Sequence, residues 1–149
     1  MSTMAKTITV GVADDHPVFR RGVTTLLSLE DDIEVIGAVA DGSQVEELLE
    51  KHNPDILLLD LRMPGVNGLE TLRLLSKKER HTRIILLTAS EDQEEYAEAV
   101  TQGASGVLLK QAASDFLPDC IRSVFEGAIW LDSEALPLPD EVSPPIVPC

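Results

Sequence analysis

The 149-residue sequence has few basic side chains, few aromatic side chains and few cysteines. Twelve Lys and Arg residues stand against 26 Asp and Glu residues, which gives a formal net charge of −14 at pH 7. Because nucleic acids and anionic membranes are bound through clustered cationic side chains, this balance argues against both as direct partners. Aromatic residues make up 3% of the chain and hydrophobic residues 44%, so the predicted core is aliphatic.

The two cysteines, Cys120 and Cys149, have neither C-x-x-C spacing nor a neighbouring histidine. This arrangement argues against a disulfide scaffold and a zinc site, and it favours reduced thiols in a cytosol. The sequence also has no apolar run long enough to span a bilayer and no signal-peptide pattern in its opening MSTMAKTITVGVADD. We therefore expect a cytoplasmic protein.

Short apolar runs alternate with longer amphipathic stretches along most of the chain. Several runs are apolar at consecutive positions, as in ILLL before Asp60, which is typical of parallel strands buried on both faces. The pattern predicts an α/β domain with right-handed crossovers. Strands are predicted over 8–13, 33–40, 55–60, 83–88 and 106–110. Helices are predicted over 17–29, 43–52 and 69–79 and from 90 and 114, with Ser43, Ser90 and Ser114 as caps.

Polar side chains follow four of the five predicted strands. Asp14 and Asp15 follow the first, and Asp60, Thr88 and Lys110 end the third, fourth and fifth. Because ligands of open α/β sheets bind at the carboxyl ends of the strands, these groups are expected to meet there. Three converging carboxylates repel one another and favour a hard divalent cation, for which Mg²⁺ is suited. Together with an ammonium and a hydroxyl, they are the parts needed to receive a phosphoryl group.

The segments ADDHPVFRRG, LLLDLRMPGVNGLE, LLTAS and GASGVLLK together resemble the receiver domain of two-component response regulators. One such motif is weak evidence, but four in the right order, each at a strand end, are specific. The resemblance covers roughly residues 6–130. DDHPVFRRG, and Lys110 followed by Gln111 rather than Pro, resemble the NarL/LuxR-type subfamily most. The resemblance implies a flavodoxin-like (βα)5 fold, a doubly wound five-stranded parallel sheet of strand order 2-1-3-4-5.

The same resemblance implies roles for individual residues. Asp60 would be the phosphoacceptor, taking a phosphoryl group from a phosphohistidine on a sensor histidine kinase. Asp14 and Asp15 would hold Mg²⁺ together with Asp60 and the backbone carbonyl of Arg62. The apolar run before Asp60 would fix its carboxylate at the edge of the sheet.

Further positions match residues that respond to the phosphoryl group in the family. Thr88 would bond it in the active state, and Lys110 would pair with it. Arg62 and Ser90 match positions that flank the path of the hydrolytic water. Val107 departs from the pattern, because the family usually has an aromatic switch residue three positions before the lysine. We expect the site chemistry to survive this change and the aromatic readout to be affected.

Each of these residues also has a purely structural interpretation. Asp14 and Asp15 could form a solvated turn, Thr88 a helix cap and Lys110 an exposed amine. His16 could act as a base, but its position before a proline at a helix start favours a structural role, with no nucleophile placed for it.

The first functional hypothesis is a phosphorylation-dependent switch that is not an enzyme beyond its own phosphoryl transfer and dephosphorylation. The surface from Thr88 through the fifth strand, or the first and last helices, would then form a phosphorylation-dependent homodimer or a docking face. Residues 131–149 are predicted to be a Pro-rich acidic linker or tail without regular structure, because five of the nine prolines lie at 137 and beyond. No DNA-binding domain is predicted in this chain. The segment WLDSEALP resembles the start of a linker, which favours a chain cut before a helix-turn-helix domain over a lone receiver.

Two other hypotheses remain at this stage. A haloacid-dehalogenase-like phosphatase would also have a strand ending in a nucleophilic aspartate, but it needs a second aspartate two residues on, where this chain has Arg62. A phosphorylation-independent docking module of receiver fold would bind its partner equally with Asp60 replaced.

Overall fold

The computed structural model describes residues 7–60, 68–76, 81–89, 92–131 and 134–136. The strands are β1 (Ile8–Ala13), β2 (Ile33–Val39), β3 (Ile56–Asp60), β4 (Arg83–Thr88), β5 (Gly106–Leu109), β6 (Ile129–Leu131) and β7 (Glu134–Leu136). The helices are α1 (Pro17–Ser28), α2 (Val45–His52), α3 (Gly68–Ser76), α4 (Gln93–Thr101) and α5 (Ala113–Phe125), with short 3₁₀ turns at Gly42–Gln44 and Lys110–Ala112.

All seven strands form one sheet of order β2-β1-β3-β4-β5-β6-β7. The first six are parallel, and β7 pairs antiparallel with β6. The predicted order 2-1-3-4-5 is confirmed, and the sheet continues beyond it by two short strands that the sequence analysis did not predict. Trp130 pairs with Gly106 on one side and Ala135 on the other.

The prediction that regular structure ends at residue 130 is therefore wrong for the segment that forms β7. The edge of β5 would otherwise expose unpaired backbone groups, and β6 covers it. Trp130 is buried and lies 6.4 Å from the ring of Phe116, so apolar packing holds this extension. Residues 132–133 and 137–149 of the predicted tail lie outside the described residues.

Both faces of the sheet are covered by helices, which explains the uninterrupted apolar runs. In β3, Ile56 and Leu58 face the layer of α1 and α5, whereas Leu57 and Leu59 face the layer of α2, α3 and α4. All four side chains are fully buried. Alternate residues thus enter two separate cores, as expected for a parallel sheet between two helical layers.

The predicted helix caps are not those that form. Asp41 rather than Ser43 caps the 3₁₀ turn before α2, accepting a hydrogen bond from the Ser43 backbone N–H. Asp92 caps α4 by accepting from the Glu94 backbone N–H, and Ser90 lies outside the described residues. The 3₁₀ turn after Lys110 runs directly into α5, so this helix begins one residue before the predicted cap Ser114 and has no side-chain cap. A capping pattern in sequence does not reveal which nearby polar residue has the extended backbone that a cap requires.

Cys120 is a free thiol that is fully buried in the α1–α5 core. Burial raises the pKa of this thiol, because the thiolate would lose its hydration. It is therefore a packing residue. In the described part of the chain, each helix is too short or too polar to cross a bilayer.

Arg122 of α5 ties the last helix to the loop before β2. Its guanidinium donates two hydrogen bonds of 2.9 Å to the carboxylate of Asp32 and a further bond to Glu30. Hydrogen bonds from Arg122 lower the pKa of Asp32, and the two carboxylates raise the pKa of Arg122. This network lies far along the strands from the carboxyl edge of the sheet and joins helix to sheet there.

Replacing Asp32 by Asn should lower the free energy of unfolding by about 0.5–1 kcal/mol at pH 7, because the side chains are partly solvated. The folded-state pKa of Asp32 is lowered, so its contribution is complete above the unfolded value near 3.8 and is lost as pH falls through the folded value. Urea titrations at pH 7 and below pH 4 measure the difference. The exposed neighbour Asp31, changed to Asn, is the matched control, and an equal loss in both variants would contradict the role of the Arg122 pair.

Candidate functional site

The strand register brings the polar strand ends to one edge of the sheet. Ala13 pairs with Leu59, so Asp14 and Asp60 are the next residues on neighbouring strands. Asp60 pairs with Leu87 of β4, and the next residue of β4, Thr88, pairs with Leu109 of β5. Lys110 directly follows Leu109. Groups far apart in sequence therefore meet because their strands are parallel and end in step.

Asp60 ends β3 with its side chain only 5% exposed. The Lys110 ammonium, on the 3₁₀ turn after β5, lies 3.3 Å from Asp60 Oδ2 and 3.0 Å from Asp14 Oδ2. Lys110 itself is 16% exposed, so these charges are largely removed from water. Charged groups buried in this way are retained only when paired or bound to a cation, and one ammonium faces two buried carboxylates here.

Two carboxylate oxygens at this edge have no hydrogen-bond donor among the described residues. Asp14 Oδ2 is fully buried, and its contact with Lys110 is close but lacks hydrogen-bond geometry. Asp15 Oδ1 is also buried, although the whole side chain is 30% exposed. Unpartnered carboxylate oxygens aimed into one pocket fit a divalent cation, which binds oxygen ligands and supplies the missing charge.

The loop after β1 is fixed by hydrogen bonds of its own backbone. The His16 backbone N–H donates to Asp14 Oδ1 at 2.8 Å, and Arg20 Nη1 of α1 donates to the Asp14 carbonyl at 2.6 Å. Pro17 opens α1 at its first turn, where its missing N–H costs no helical bond. The pocket's carboxylates are thus held by the start of α1 as well as by the sheet.

The ring of His16 lies inside this group of charges, which the sequence analysis did not anticipate. Its Nδ1 is 3.4 Å from Asp14 Oδ1, 3.3 Å from Asp15 Oδ1 and 3.9 Å from Asp60 Oδ2. It is also 3.3 Å from Lys110 Nζ. The only signal in the sequence is its position directly after the paired acids. We call Asp14, Asp15, His16, Asp60 and Lys110 the acidic pocket.

Lys110 is also held by an aromatic ring. Its ammonium lies 4.7 Å from the centroid of Phe19 on α1, a distance at which a cation is attracted to the ring face. The resemblance named no role for Phe19. The contact keeps the ammonium between the acidic pocket and the face of α1.

Thr88 and Val107 lie on the side of the sheet edge away from α1. Thr88 is 4% exposed at the end of β4, beside Leu109. Val107 is 1% exposed in the α2–α3–α4 core, where Tyr96 of α4 supplies an aromatic side chain. Arg62 and Ser90, for which the resemblance implied roles at the metal and the hydrolytic water, lie outside the described residues.

An apolar groove of about 660 Å³ begins beside the pocket and runs between α1 and the start of α5. Lys110 and Phe19 lie at its pocket end, and Leu29 lies at the end of α1. Val18 and Leu29, near opposite ends of α1, are exposed by 84% and 74%, so each presents a large aliphatic side chain to solvent along this groove. The charged site and an apolar surface thus share one lysine.

The sequence profile described as the response regulator receiver domain matches residues 10–122. The nitrate/nitrite response regulator protein NarL of Escherichia coli strain K12 is 42% identical over 128 residues. The match covers 86% of this chain and 59% of that protein. The transcriptional regulatory protein DegU of Brevibacillus brevis is 36% identical over 124 residues, 83% of this chain and 52% of the relative. The chain therefore spans little more than half the length of these relatives.

Solved structures agree with these sequence relatives. The signal receiver domain of NarL from Mycobacterium tuberculosis superposes with a TM-score of 0.78 at 36% identity. It covers 82% of this chain and 98% of that domain. The likeness extends over the whole of that receiver domain.

Replacing Asp15 by Asn should raise the free energy of unfolding by about 0.5–1 kcal/mol in EDTA at low salt, because one of three close carboxylate charges is removed. Added Mg²⁺ should reduce or reverse this difference in the free energy of unfolding. The wild type has one more carboxylate for the ion to neutralise, so Mg²⁺ should stabilise it more than the variant. Denaturant titrations with and without Mg²⁺ measure both effects. Asp31→Asn makes the same charge change at an exposed position outside the pocket, and a similar gain there would point to general charge repulsion instead.

Proposed function

The chain belongs to the response regulator receiver domains of two-component systems, and from this membership we propose that Asp60 accepts a phosphoryl group from the phosphohistidine of a sensor histidine kinase. The chain then acts as a signalling switch in the cytoplasm. We propose that its receiver unit spans residues 6–130, with β7 extending the sheet to Leu136, and that the residues beyond lead towards an output domain. The observation that carries the proposal is the buried Asp60 carboxylate, 3.3 Å from Lys110 and beside two further acids.

The burial of Asp60 supports a role as nucleophile. A carboxylate oxygen attacks phosphorus, the bond from phosphorus to the kinase imidazole nitrogen breaks, and that nitrogen leaves with its electron pair. The rigid strand β3 holds the attacking oxygen at the sheet edge, so little reorganisation is needed. Lys110 is close enough to pair with the phosphoryl oxygens that replace its present contact with Asp60.

The pocket fits a resident Mg²⁺. Asp14, Asp15 and Asp60 would hold the ion with the backbone carbonyl of Arg62, and the unpartnered oxygens of Asp14 and Asp15 are the observation that supports this assignment. A bound Mg²⁺ would neutralise charge on the phosphoryl oxygens. The strand end holds the proposed acceptor Asp60 in place. Lys110 partly offsets the electrostatic repulsion between Asp60 and Asp14.

Phosphorylation is proposed to shift an equilibrium between two conformations. Thr88, at the end of β4 next to Lys110's turn, would supply the hydroxyl that bonds the new phosphoryl group. Because Val107 replaces the usual aromatic, the readout rests on Thr88 and the start of α4 rather than on an aromatic rotamer change. The phosphoryl group can shift the equilibrium only if it makes better contacts in one conformation than in the other. A hydrogen bond from the Thr88 hydroxyl would be such a contact.

The proposal does not extend to turnover of soluble phosphate esters. A dehalogenase-like phosphatase needs an acid two residues after its nucleophile, and Arg62 stands there. The chain is proposed to catalyse only its own phosphoryl transfer and the later hydrolysis of its aspartyl phosphate.

The groove between α1 and α5 is the proposed pairing surface of the phosphorylated chain. Its exposed Val18 and Leu29 are apolar, whereas the chain as a whole is strongly acidic. The same surface of a second copy of this chain can bury both side chains by apolar contact, so no basic partner protein is required. The output is proposed to be transcription through a helix-turn-helix domain beyond this chain, as the name of the related DegU suggests. Direct nucleic acid binding by this acidic chain, or binding to a membrane, is not proposed.

Incubation with Mg²⁺ and acetyl phosphate should raise the intact mass of the chain by one phosphoryl group. Asp60→Asn should abolish the gain because the nucleophile is removed, and omission of Mg²⁺ should abolish it because the charge on the donor is not neutralised. Intact-mass spectrometry at several time points is the measurement.

Asp55→Asn is the matched control for this experiment. Asp55 precedes β3 at its opposite end, where its carboxylate accepts from Thr9, so this change leaves the acidic pocket intact. Normal phosphorylation of Asp55→Asn is expected. Phosphorylation that persists in Asp60→Asn would refute the acceptor assignment, and failure of the wild type to gain mass or bind beryllofluoride would refute the switch.

Leu29→Glu should weaken self-association of the beryllofluoride-treated chain by about tenfold or more, since a buried charge at a pairing surface costs at least 1.4 kcal/mol. Sedimentation velocity over a concentration series measures it. Leu74→Glu is the control, because Leu74 is also exposed, by 49%, but lies on α3 on the other side of the sheet. Equal effects of both variants, or no pairing by the wild type, would contradict the proposed surface.

A further inference from the structure

We propose that His16 is a nitrogen ligand of the acidic pocket and that it tunes the pocket towards divalent transition ions such as Co²⁺ and Ni²⁺. This inference rests on the proposed function, since it concerns the same cation site. The resemblance assigns only oxygen ligands there. The structure instead groups one atom each from Asp14, Asp15, His16 and Asp60 within 4.8 Å of one another.

The separations of His16 Nδ1 from the three carboxylates suit a single ion. Ligands that bind one small cation at about 2.0–2.1 Å in octahedral geometry lie about 3 Å apart when adjacent and about 4.2 Å apart when opposite. His16 Nδ1 lies 3.3 Å from Asp15 Oδ1, 3.4 Å from Asp14 Oδ1 and 3.9 Å from Asp60 Oδ2. All three distances fall within that range without movement of the ring.

An independent observation shows that Lys110 alone does not satisfy the carboxylates of the pocket. The Asp14 side chain is fully buried, and its Oδ2 has no hydrogen-bond donor among the described residues. The Asp15 Oδ1 atom is also buried and has no hydrogen-bond donor among the described residues. Carboxylate oxygens desolvated without donors are expected where a cation completes the set.

The backbone aims the His16 ring into the pocket. A residue before proline is confined to extended conformations, and His16 has φ −91° and ψ 108° before Pro17. Its N–H bond to Asp14 Oδ1 fixes the same geometry from the other side. Although His16 occupies the N-cap of α1, its side chain makes no capping hydrogen bond, so capping does not account for its position.

The ring nitrogen that faces the pocket is Nδ1. Lys110 Nζ, which can only donate, lies 3.3 Å from it, and Nδ1 offers a lone pair to this ammonium in the tautomer that carries the ring proton on Nε2. The same lone pair is the one a metal ion needs. Lys110 keeps Asp14 and Asp60 as partners when the Nδ1 lone pair binds an ion instead.

The remaining coordination positions can be filled by water. The His16 side chain is 66% exposed, so the ring forms the outer wall of the pocket and solvent reaches the ion past it. Imidazole favours Co²⁺, Ni²⁺ and Zn²⁺, whereas carboxylate and water favour Mg²⁺. A mixed set of three carboxylates and one imidazole therefore gains more affinity for the transition ions.

The test compares binding of Co²⁺ and of Mg²⁺ to the full chain by isothermal titration calorimetry. His16→Ala should weaken Co²⁺ binding about tenfold or more and change Mg²⁺ binding less than about twofold. The visible absorption of bound Co²⁺ should also change as a nitrogen ligand is replaced by water. His16→Gln is a second variant with the same expectation, and it preserves a polar contact for Lys110. His52→Ala is the matched control, which removes an exposed imidazole from α2.

The outcomes separate this inference from the proposed function. Equal weakening of both ions, or unchanged Co²⁺ affinity and spectrum in both His16 variants, overturns the ligand role. If the ligand role of His16 is overturned in this way but the wild type is phosphorylated on Asp60 with Mg²⁺, the proposed function still stands. A selective Co²⁺ loss in both variants, with His52→Ala unchanged, supports the ligand role even if phosphorylation by acetyl phosphate fails.

Discussion

The structure depends on the placement of two buried carboxylates against one ammonium. Asp14 and Asp60 end neighbouring strands with almost no exposure to water, and Lys110 contacts both. Such a group is unfavourable unless a cation completes its charge balance. This imbalance makes the edge of the sheet responsive to cations, because cation binding there removes a cost that the folded protein otherwise retains.

The rest of the fold keeps these charges from separating. The fully buried residues of β3 enter two aliphatic cores, so the strand cannot shift by one residue without turning every apolar side chain to the wrong layer. Lys110 is held by the Phe19 ring on α1, and the Asp14 loop is held by Arg20. At the other end of α5, Arg122 anchors the helix to the loop before β2. The site is rigid because its supports lie in different elements.

Membership in the receiver family accounts for the acids, the threonine and the lysine, and the structure adds features particular to this chain. An exposed apolar groove starts at Lys110, so the residue that contacts Asp60 also borders the proposed pairing surface. Val107 stands where an aromatic is usual, and Tyr96 of α4 lies in the same core. Under the proposed function, phosphorylation of Asp60 would have two short routes to the surface, through Lys110 to α1 and through Thr88 to α4.

The sequence by itself determined the parallel α/β fold and the residues that end each strand, because buried parallel strands require consecutive apolar residues and place polar groups at their carboxyl ends. The strand order was implied by the resemblance to the receiver family, since the apolar pattern does not fix which strands are neighbours. It could not determine the caps, since Asp41 and Asp92 were chosen by backbone conformation rather than by residue type. Strands β6 and β7 could not be predicted, because a strand of three residues is too short to show an apolar pattern. They form only because β6 can pair with the edge of β5 and β7 with β6. The place of His16 was decided by tertiary structure alone: three strand ends and the start of α1 must meet before its ring has charges to contact.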